Sequence, residues 1–218
     1  MPSERPIRIR PGRILPAPDW AAMGAISGPV AERYVKTIGQ VAYASNQFHE
    51  ELSEIFARVI AADRDIALAI WYSATNDRPQ REMLKAAIVA SPTDRWLPRL
   101  PRARDDLLWL LSKADTFADR RNDAVHVPCS VVVDTIAKAA DVIVPDYIRY
   151  KRAARLRSKQ ILIEFDWCAR TFAVLSEFTY RAERSMFSEH FPWPDRPPLP
   201  DRLPKKGLLD RHRQSCPQ

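Results

Sequence analysis

Residues 103–126 read ARDDLLWLLSKADTFADRRNDAVH, and this stretch decides the fold class. Its apolar residues recur at steps of three and four, which is the period of one buried face of an α-helix. The residues of this stripe are Leu107, Leu110, Leu111, Ala114, Phe117, Ala118 and Ala124. Pro128 restricts Val127 to non-helical angles, so we predict that the helix ends near His126.

The same helical period recurs on both sides of this stretch. It predicts a helix of about thirty residues between positions 29 and 62. Shorter helices are predicted over residues 65–75 and from Pro79 onward, and a last long helix over residues 158–188. We therefore predict an all-α fold, an up-and-down bundle of four to five helices.

Two short β-branched runs, residues 131–133 and 142–144, follow the central helix. Such residues favour strands, and the pair predicts a small β-hairpin after that helix. Residues 135–140 between them also tolerate a helical turn, which is the alternative.

Composition divides the chain into three parts. Residues 1–28 are a basic, proline-containing N-terminal extension, and residues 29–190 are one helical domain. Residues 191–218 carry seven prolines, which predict an unfolded, extended basic tail. No apolar stretch predicts a signal peptide or membrane span, and the three cysteines form no C-x-x-C pair. We expect a cytoplasmic protein that does not enter a membrane.

Several classes of site are excluded by what the sequence lacks. No glycine lies between residues 40 and 206, so a Gly-rich phosphate loop or dinucleotide fingerprint cannot form there. The histidines and cysteines do not cluster at metal-ligand spacing. We expect neither a cofactor nor a metal.

The central helix closes with Arg121, Asn122 and His126. Arginine holds phosphate through a planar fork of donors, and histidine exchanges a proton near neutral pH. Arg121 lies on the apolar stripe, so it requires a partner carboxylate, a ligand anion or a subunit interface. Asn122 and His126 are four residues apart and share a helix face. Of the four histidines, only His126 follows an Arg-Asn pair at this spacing.

This Arg-Asn-x-x-x-His block, at the end of a helix in an all-helical chain, resembles the signature of the HEPN superfamily (higher eukaryotes and prokaryotes nucleotide-binding). By helix order the resemblance covers residues 29–190. It implies a helical bundle that often forms a homodimer, with two motifs across a shared cleft, and metal-independent cleavage of RNA. It further implies that His126 is a general acid or base, that Arg121 stabilises phosphate charge and that Asn122 orients the site.

Two alternatives to an enzyme remain. Other members of the superfamily are inactive nucleotide-binding or protein-interaction modules, which can be controlled by a partner protein in trans. A purely structural role is the second alternative, in which Arg121 pairs with a carboxylate such as Glu51 or Glu54. His126 would then only contact the free carbonyls at the helix end.

Basic residues collect in one internal run. Residues 149–159 hold six lysines or arginines and no acidic residue, within a chain of net charge +7. Such a run can bind a phosphate backbone, and it matches the N-terminal dipole of a following helix poorly. The alternative is a solvated helix start. We predict a nucleic-acid-binding surface formed by Arg120, Arg149, Lys151, Arg152 and Arg155.

Overall fold

The structure is a computed structural model, and it describes residues 19–92 and 99–202. These residues form six helices and one antiparallel two-stranded sheet. The helices are α1 (Trp20–Ile60), α2 (Arg64–Ser73), α3 (Asp77–Ala90), α4 (Ala103–His126), α5 (Lys151–Leu156) and α6 (Ile161–Phe187), and the strands are β1 (Ser130–Asp134) and β2 (Ala139–Ile143). The predicted all-α bundle with a small hairpin is confirmed. None of these helices is both long enough and apolar enough to cross a membrane.

The first helix begins earlier than Pro29, where the sequence predicted its start. α1 starts at Trp20, and the carboxylate of Asp19 accepts hydrogen bonds from two backbone N–H groups of the first turn, both at 3.1 Å. This cap satisfies donors that are otherwise free at a helix start. Residues 20–28 therefore belong to the helix and not to an extension, while residues 1–18 lie outside the described part.

The long first helix is the centre of the bundle. α1 packs along α6 and also contacts α2, α3, α4 and the hairpin. The ring of Phe172 in α6 lies 5.8 Å from that of Phe48 in α1 and 6.0 Å from that of Phe117 in α4, measured between centroids. All three rings are buried, and aromatic contacts of this kind add to the stability gained from burial. This junction holds α4 against both long helices.

The predicted hairpin forms, although β2 begins three residues before the run 142–144 and ends at Ile143. Val131 of β1 lies opposite Val142 of β2, and Val142 is buried. The carboxylate of Asp134 accepts hydrogen bonds from the backbone N–H groups of Ile136 and Ala137, each at 2.9 Å. This local turn, typical of aspartate, takes the place of the alternative helical turn.

The basic run contains a helix that the sequence analysis did not predict. α5 covers six residues, and Ala153 and Leu156 are buried on the side that faces the bundle. The apolar period is too short here to stand out among the charged residues. α6 then begins at Ile161, slightly later than predicted.

Residues 191–202, which we call the C-terminal strap, lack regular secondary structure but pack on the helices. The indole Nε1 of Trp193 donates a hydrogen bond to Oδ2 of the buried Asp106 at 2.8 Å. The indole Nε1 of Trp167 donates to the backbone oxygen of Pro200 at 2.7 Å. The prediction of an unfolded tail is therefore wrong for the strap, because side chains of α4 and α6 supply partners to it. Residues 203–218 lie outside the described part.

Candidate functional site

Arg121 is half-buried in the last turns of α4. Its Nη1 donates a hydrogen bond to Oδ1 of Asn122 at 3.1 Å. Within the described part of the chain, Arg121 forms no ion pair with Glu51, with Glu54 or with any other carboxylate, and Glu54 instead accepts a hydrogen bond from Nε of Arg64 at 2.9 Å. A half-buried guanidinium without a carboxylate retains donors for an anion or a subunit interface.

His126 is the last residue of α4, and it is exposed. The helix ends there because Val127 is extended, as the following Pro128 predicts. The backbone oxygen of His126 accepts a hydrogen bond from the hydroxyl of Tyr150 at 3.0 Å. Among the residues that the structure describes, its imidazole has no hydrogen-bond or ion-pair partner, and neither Arg121 nor Asn122 bonds to it. The ring is open to a ligand from solvent.

The structure adds a second histidine next to Arg121. His49 of α1 lies with Nε2 3.5 Å from Oδ2 of Asp77 in α3. Burial lowers the pKa of His49 to about 4, with Asp77 opposing this change and the charges of Arg81 and Arg121 adding to it. His49 is therefore neutral near pH 7. Its Nδ1 is buried without a hydrogen-bond partner among the described groups.

A groove of about 510 Å³ runs between α3, α4 and α5 and reaches the motif at Asn122. We call it the α3–α4–α5 groove. Arg81 and Lys85 line it from α3, Asp115 and Asn122 from α4, and Arg152 from α5. Arg81 is only 6% exposed, and its Nε donates to Oδ1 of Asp115 at 2.7 Å. The groove therefore has a buried cation in its wall.

The predicted nucleic-acid-binding residues do not share one role. Arg155 donates from Nη2 to Oδ1 of the buried Asp123 at 2.7 Å, and its Nη1 lies 3.6 Å from Oδ2 of Asp119. These contacts fasten α5 to α4, so much of the charge of Arg155 is compensated within the bundle. Arg157 and Lys159, from the same basic run, are likewise paired with acidic residues.

Four other cations of the predicted surface have no ion-pair partner in the described ranges. Arg149 and Lys151 are exposed, and Arg152 is half-buried at the groove. Arg120 is half-buried on another side of α4, where its charge contributes to lowering the pKa of Lys159, after the larger effect of burial. The structure therefore brings Arg152 to Asn122, while Arg120 faces the start of α6.

Sequence reasoning missed two residues of this region, His49 and Arg81. His49 has no arginine at the motif spacing, and Arg81 lies on a helix whose apolar pattern gives no reason to single it out. Only the packing of α1 and α3 against α4 brings them near Arg121. Each has a buried side-chain nitrogen without a hydrogen-bond partner among the described groups, and this feature can be recognised only in the folded structure.

Comparisons of this chain with protein-family models, with curated protein sequences and with solved structures found no match.

Proposed function

We propose that this protein binds RNA and cleaves it as a metal-independent endoribonuclease of the HEPN type. The observation that carries the proposal is that Arg121 has no neutralising carboxylate in the described chain. Its guanidinium is half-buried and bonded to Asn122, and no carboxylate of the described chain neutralises it. The exposed imidazole of His126 follows at the end of the same helix. A phosphate group would supply the missing counter-charge beside a group that can move a proton.

The proposed reaction is an internal transfer at one phosphate of the RNA backbone. The ribose 2′ oxygen attacks phosphorus and loses its proton to a general base, while the bond from phosphorus to the 5′ oxygen breaks. A general acid protonates that leaving oxygen. The products are a 2′,3′-cyclic phosphate end and a 5′-hydroxyl end.

Each motif residue has one role in this proposal. His126 acts as the general acid or base, and in a homodimer the second copy of His126 carries out the other proton transfer. Arg121 stabilises the charge that develops on the phosphate oxygens, and Asn122 holds Arg121 in place. The free thiols of Cys129 and Cys168 fit a reducing compartment, so we propose that the protein acts in the cytoplasm.

Digestion of RNA in the presence of EDTA tests this function. We expect wild type to leave 2′,3′-cyclic ends, and we expect His126→Ala to remove cleavage without changing the melting temperature. His190→Ala is the matched control, because His190 is also exposed and lies outside the motif. Cleavage that persists in His126→Ala would show that His126 is not the catalytic group.

The alternative is a catalytically inactive module that binds a nucleotide or a partner protein. One observation favours an interaction role: Ile66, Ile70 and Tyr72 of α2 are 59%, 43% and 58% exposed, which leaves apolar surface on that helix. This alternative predicts that neither wild type nor any variant cleaves RNA. It also predicts that Arg121→Ala lowers the melting temperature or breaks the dimer.

A further inference from the structure

We propose that the α3–α4–α5 groove binds one backbone phosphate of single-stranded RNA, next to the phosphate that is cleaved. Lys85, Asn122 and Arg152 are its direct ligands, and Arg81 supplies charge from the wall of the groove. The inference rests on the proposed function, because Asn122 belongs to both sites.

The size of the groove suits a nucleotide unit. Its volume of about 510 Å³ lies within the range of roughly 300 to 1,000 Å³ that is typical of ligand sites in proteins. Its walls carry cations from two separate helices, α3 and α5, with the motif helix between them. A phosphate in the groove would therefore be contacted from both sides.

Two of the cations at the groove form ion pairs with neighbouring carboxylates. Arg78 lies 3.0 Å from Glu82, and Arg81 lies 2.7 Å from Asp115, measured from Nε to the nearest carboxylate oxygen. Lys85 and Arg152 differ, because neither has an ion-pair partner in the described chain. Their charges are the ones left for a ligand.

Arg81 places a buried and only partly satisfied guanidinium in the wall of the groove. Its side chain is 7% exposed, and its Nη1 is buried with no hydrogen-bond partner among the described groups. A buried cation is costly unless its charge and its donors are satisfied. Asp115 supplies negative charge beside the Arg81 guanidinium, and a phosphate in the groove would supply more.

Asn122 connects this groove to the proposed catalytic residues. Its Oδ1 is occupied by Arg121, so the Nδ2 donors remain for a ligand in the groove. His126 lies four residues further along α4, a rise of about 6 Å. An RNA strand can therefore place one phosphate in the groove and the next near His126.

The surroundings favour a single strand over a duplex. Tyr150, at the start of α5, is 42% exposed and donates its hydroxyl hydrogen to the backbone oxygen of His126. An exposed ring beside the site offers a face on which an unpaired base can stack. Glu82, Asp115 and Asp119 on the groove wall repel phosphate and limit how much negative charge the groove can hold.

Binding of a fluorescein-labelled single-stranded RNA of mixed sequence tests the groove. The measurement uses the full chain with His126→Ala, in EDTA, so that the probe stays intact. Adding Lys85→Ala and Arg152→Ala is expected to raise Kd by about tenfold, and to reduce the slope of log Kd against log salt by about 0.7 for the one phosphate contact that is lost. The paired change Lys85→Arg with Arg152→Lys keeps both charges and is expected to retain binding.

The matched control removes the same charge elsewhere. Arg33 and Lys36 are exposed on α1, so Arg33→Ala with Lys36→Ala is expected to leave Kd within about twofold. Equal weakening by both alanine pairs, or no weakening by the groove pair, would overturn the groove site. A melting temperature within a few degrees of wild type is expected for each pair, since none of these four side chains has a partner among the described residues.

The same experiment separates this inference from the proposed function. If the groove pair weakens RNA binding but wild type does not cleave RNA, the groove site holds and the ribonuclease proposal fails. If wild type cleaves RNA but the groove pair binds as tightly as the control, the groove site fails and the ribonuclease proposal holds. If wild type neither binds nor cleaves RNA, both fail.

Discussion

Arg155 and Asp123 form a short ion pair that joins α5 to the motif helix, with 2.7 Å between Nη2 and Oδ1. The Asp123 side chain is 1% exposed, and its other oxygen has no hydrogen-bond partner in the described chain. Loss of the arginine would leave a buried carboxylate without its cation. We predict that Arg155→Ala lowers the free energy of unfolding by about 2 to 3 kcal/mol, measured by urea denaturation.

Lys151→Ala is the control for this prediction. Lys151 lies on the same short helix, is exposed and has no ion-pair partner among the described residues. Its removal is expected to change the free energy of unfolding by less than about 0.5 kcal/mol. Equal losses in the two variants would mean that the Arg155–Asp123 pair does not hold α5 in place.

Loss of Arg121, unlike loss of Arg155, should reduce cleavage and not stability, because no buried carboxylate is left without its cation. We predict that Arg121→Ala lowers kcat/KM for RNA cleavage by about 100-fold to 1,000-fold. We also predict a change of less than about 1 kcal/mol in its free energy of unfolding, since its described hydrogen bond is to the neutral Asn122. Cleavage assays and urea denaturation measure the two quantities. A large loss of stability with unchanged cleavage would assign Arg121 a structural role.

The C-terminal strap should stabilise the bundle through Asp106. This buried carboxylate accepts hydrogen bonds from Nε of Arg196 and from the indole of Trp193. We predict that Arg196→Ala lowers the free energy of unfolding by about 1.5 to 3 kcal/mol, because a charge-assisted hydrogen bond to a buried group is lost. Faster proteolysis within the strap should accompany this loss.

Arg102→Ala is the matched control for the strap. Arg102 pairs with Asp195 at 2.8 Å, but the Asp195 side chain is 89% exposed. An exposed pair of this kind contributes little to stability, because both charges remain solvated and are screened. If Arg102→Ala destabilises the protein as much as Arg196→Ala, burial of Asp106 is not the reason for the effect.

His49 should make the protein less stable in acid. The pKa of His49 is about 4 in the folded protein, below its ordinary value of 6.5. As the pH falls below 6.5, His49 becomes protonated in the unfolded chain but stays neutral in the folded protein. The free energy of unfolding therefore decreases until about pH 4. We predict that His49→Gln removes up to about 3 kcal/mol of this fall, measured by urea denaturation across that pH range.

The exposed His190 provides the comparison for the acid series. His190→Gln is expected to retain the pH dependence of wild type, because its side chain is exposed and has no ion-pair partner in the described ranges. A His49→Gln profile that is parallel to wild type between pH 6.5 and pH 4 would contradict the lowered pKa of His49.

Local patterns predicted most of the elements, and they failed where the decisive contact was not local. The stripe of α4 and its end at His126 follow from helical period and from Pro128, and both are confirmed. The predicted start of α1 at Pro29 is wrong, because the Asp19 cap begins the helix at Trp20 and Pro29 lies inside it. The prediction of an unfolded tail fails for the strap because proline density says nothing about the partners that Asp106 of α4 and Trp167 of α6 supply.

The sequence by itself determined the helical class of this protein, the hairpin and the position of the Arg121, Asn122 and His126 motif on one helix. These features depend on residues a few positions apart, so the backbone period is enough to predict them. Only the tertiary structure decided which cations are neutralised and which remain. Arg155 lies against Asp123 while Arg152 faces the groove, although both belong to one basic run. The physical reason is that an ion pair depends on distances of a few ångströms between side chains, and those distances are set by how the helices pack.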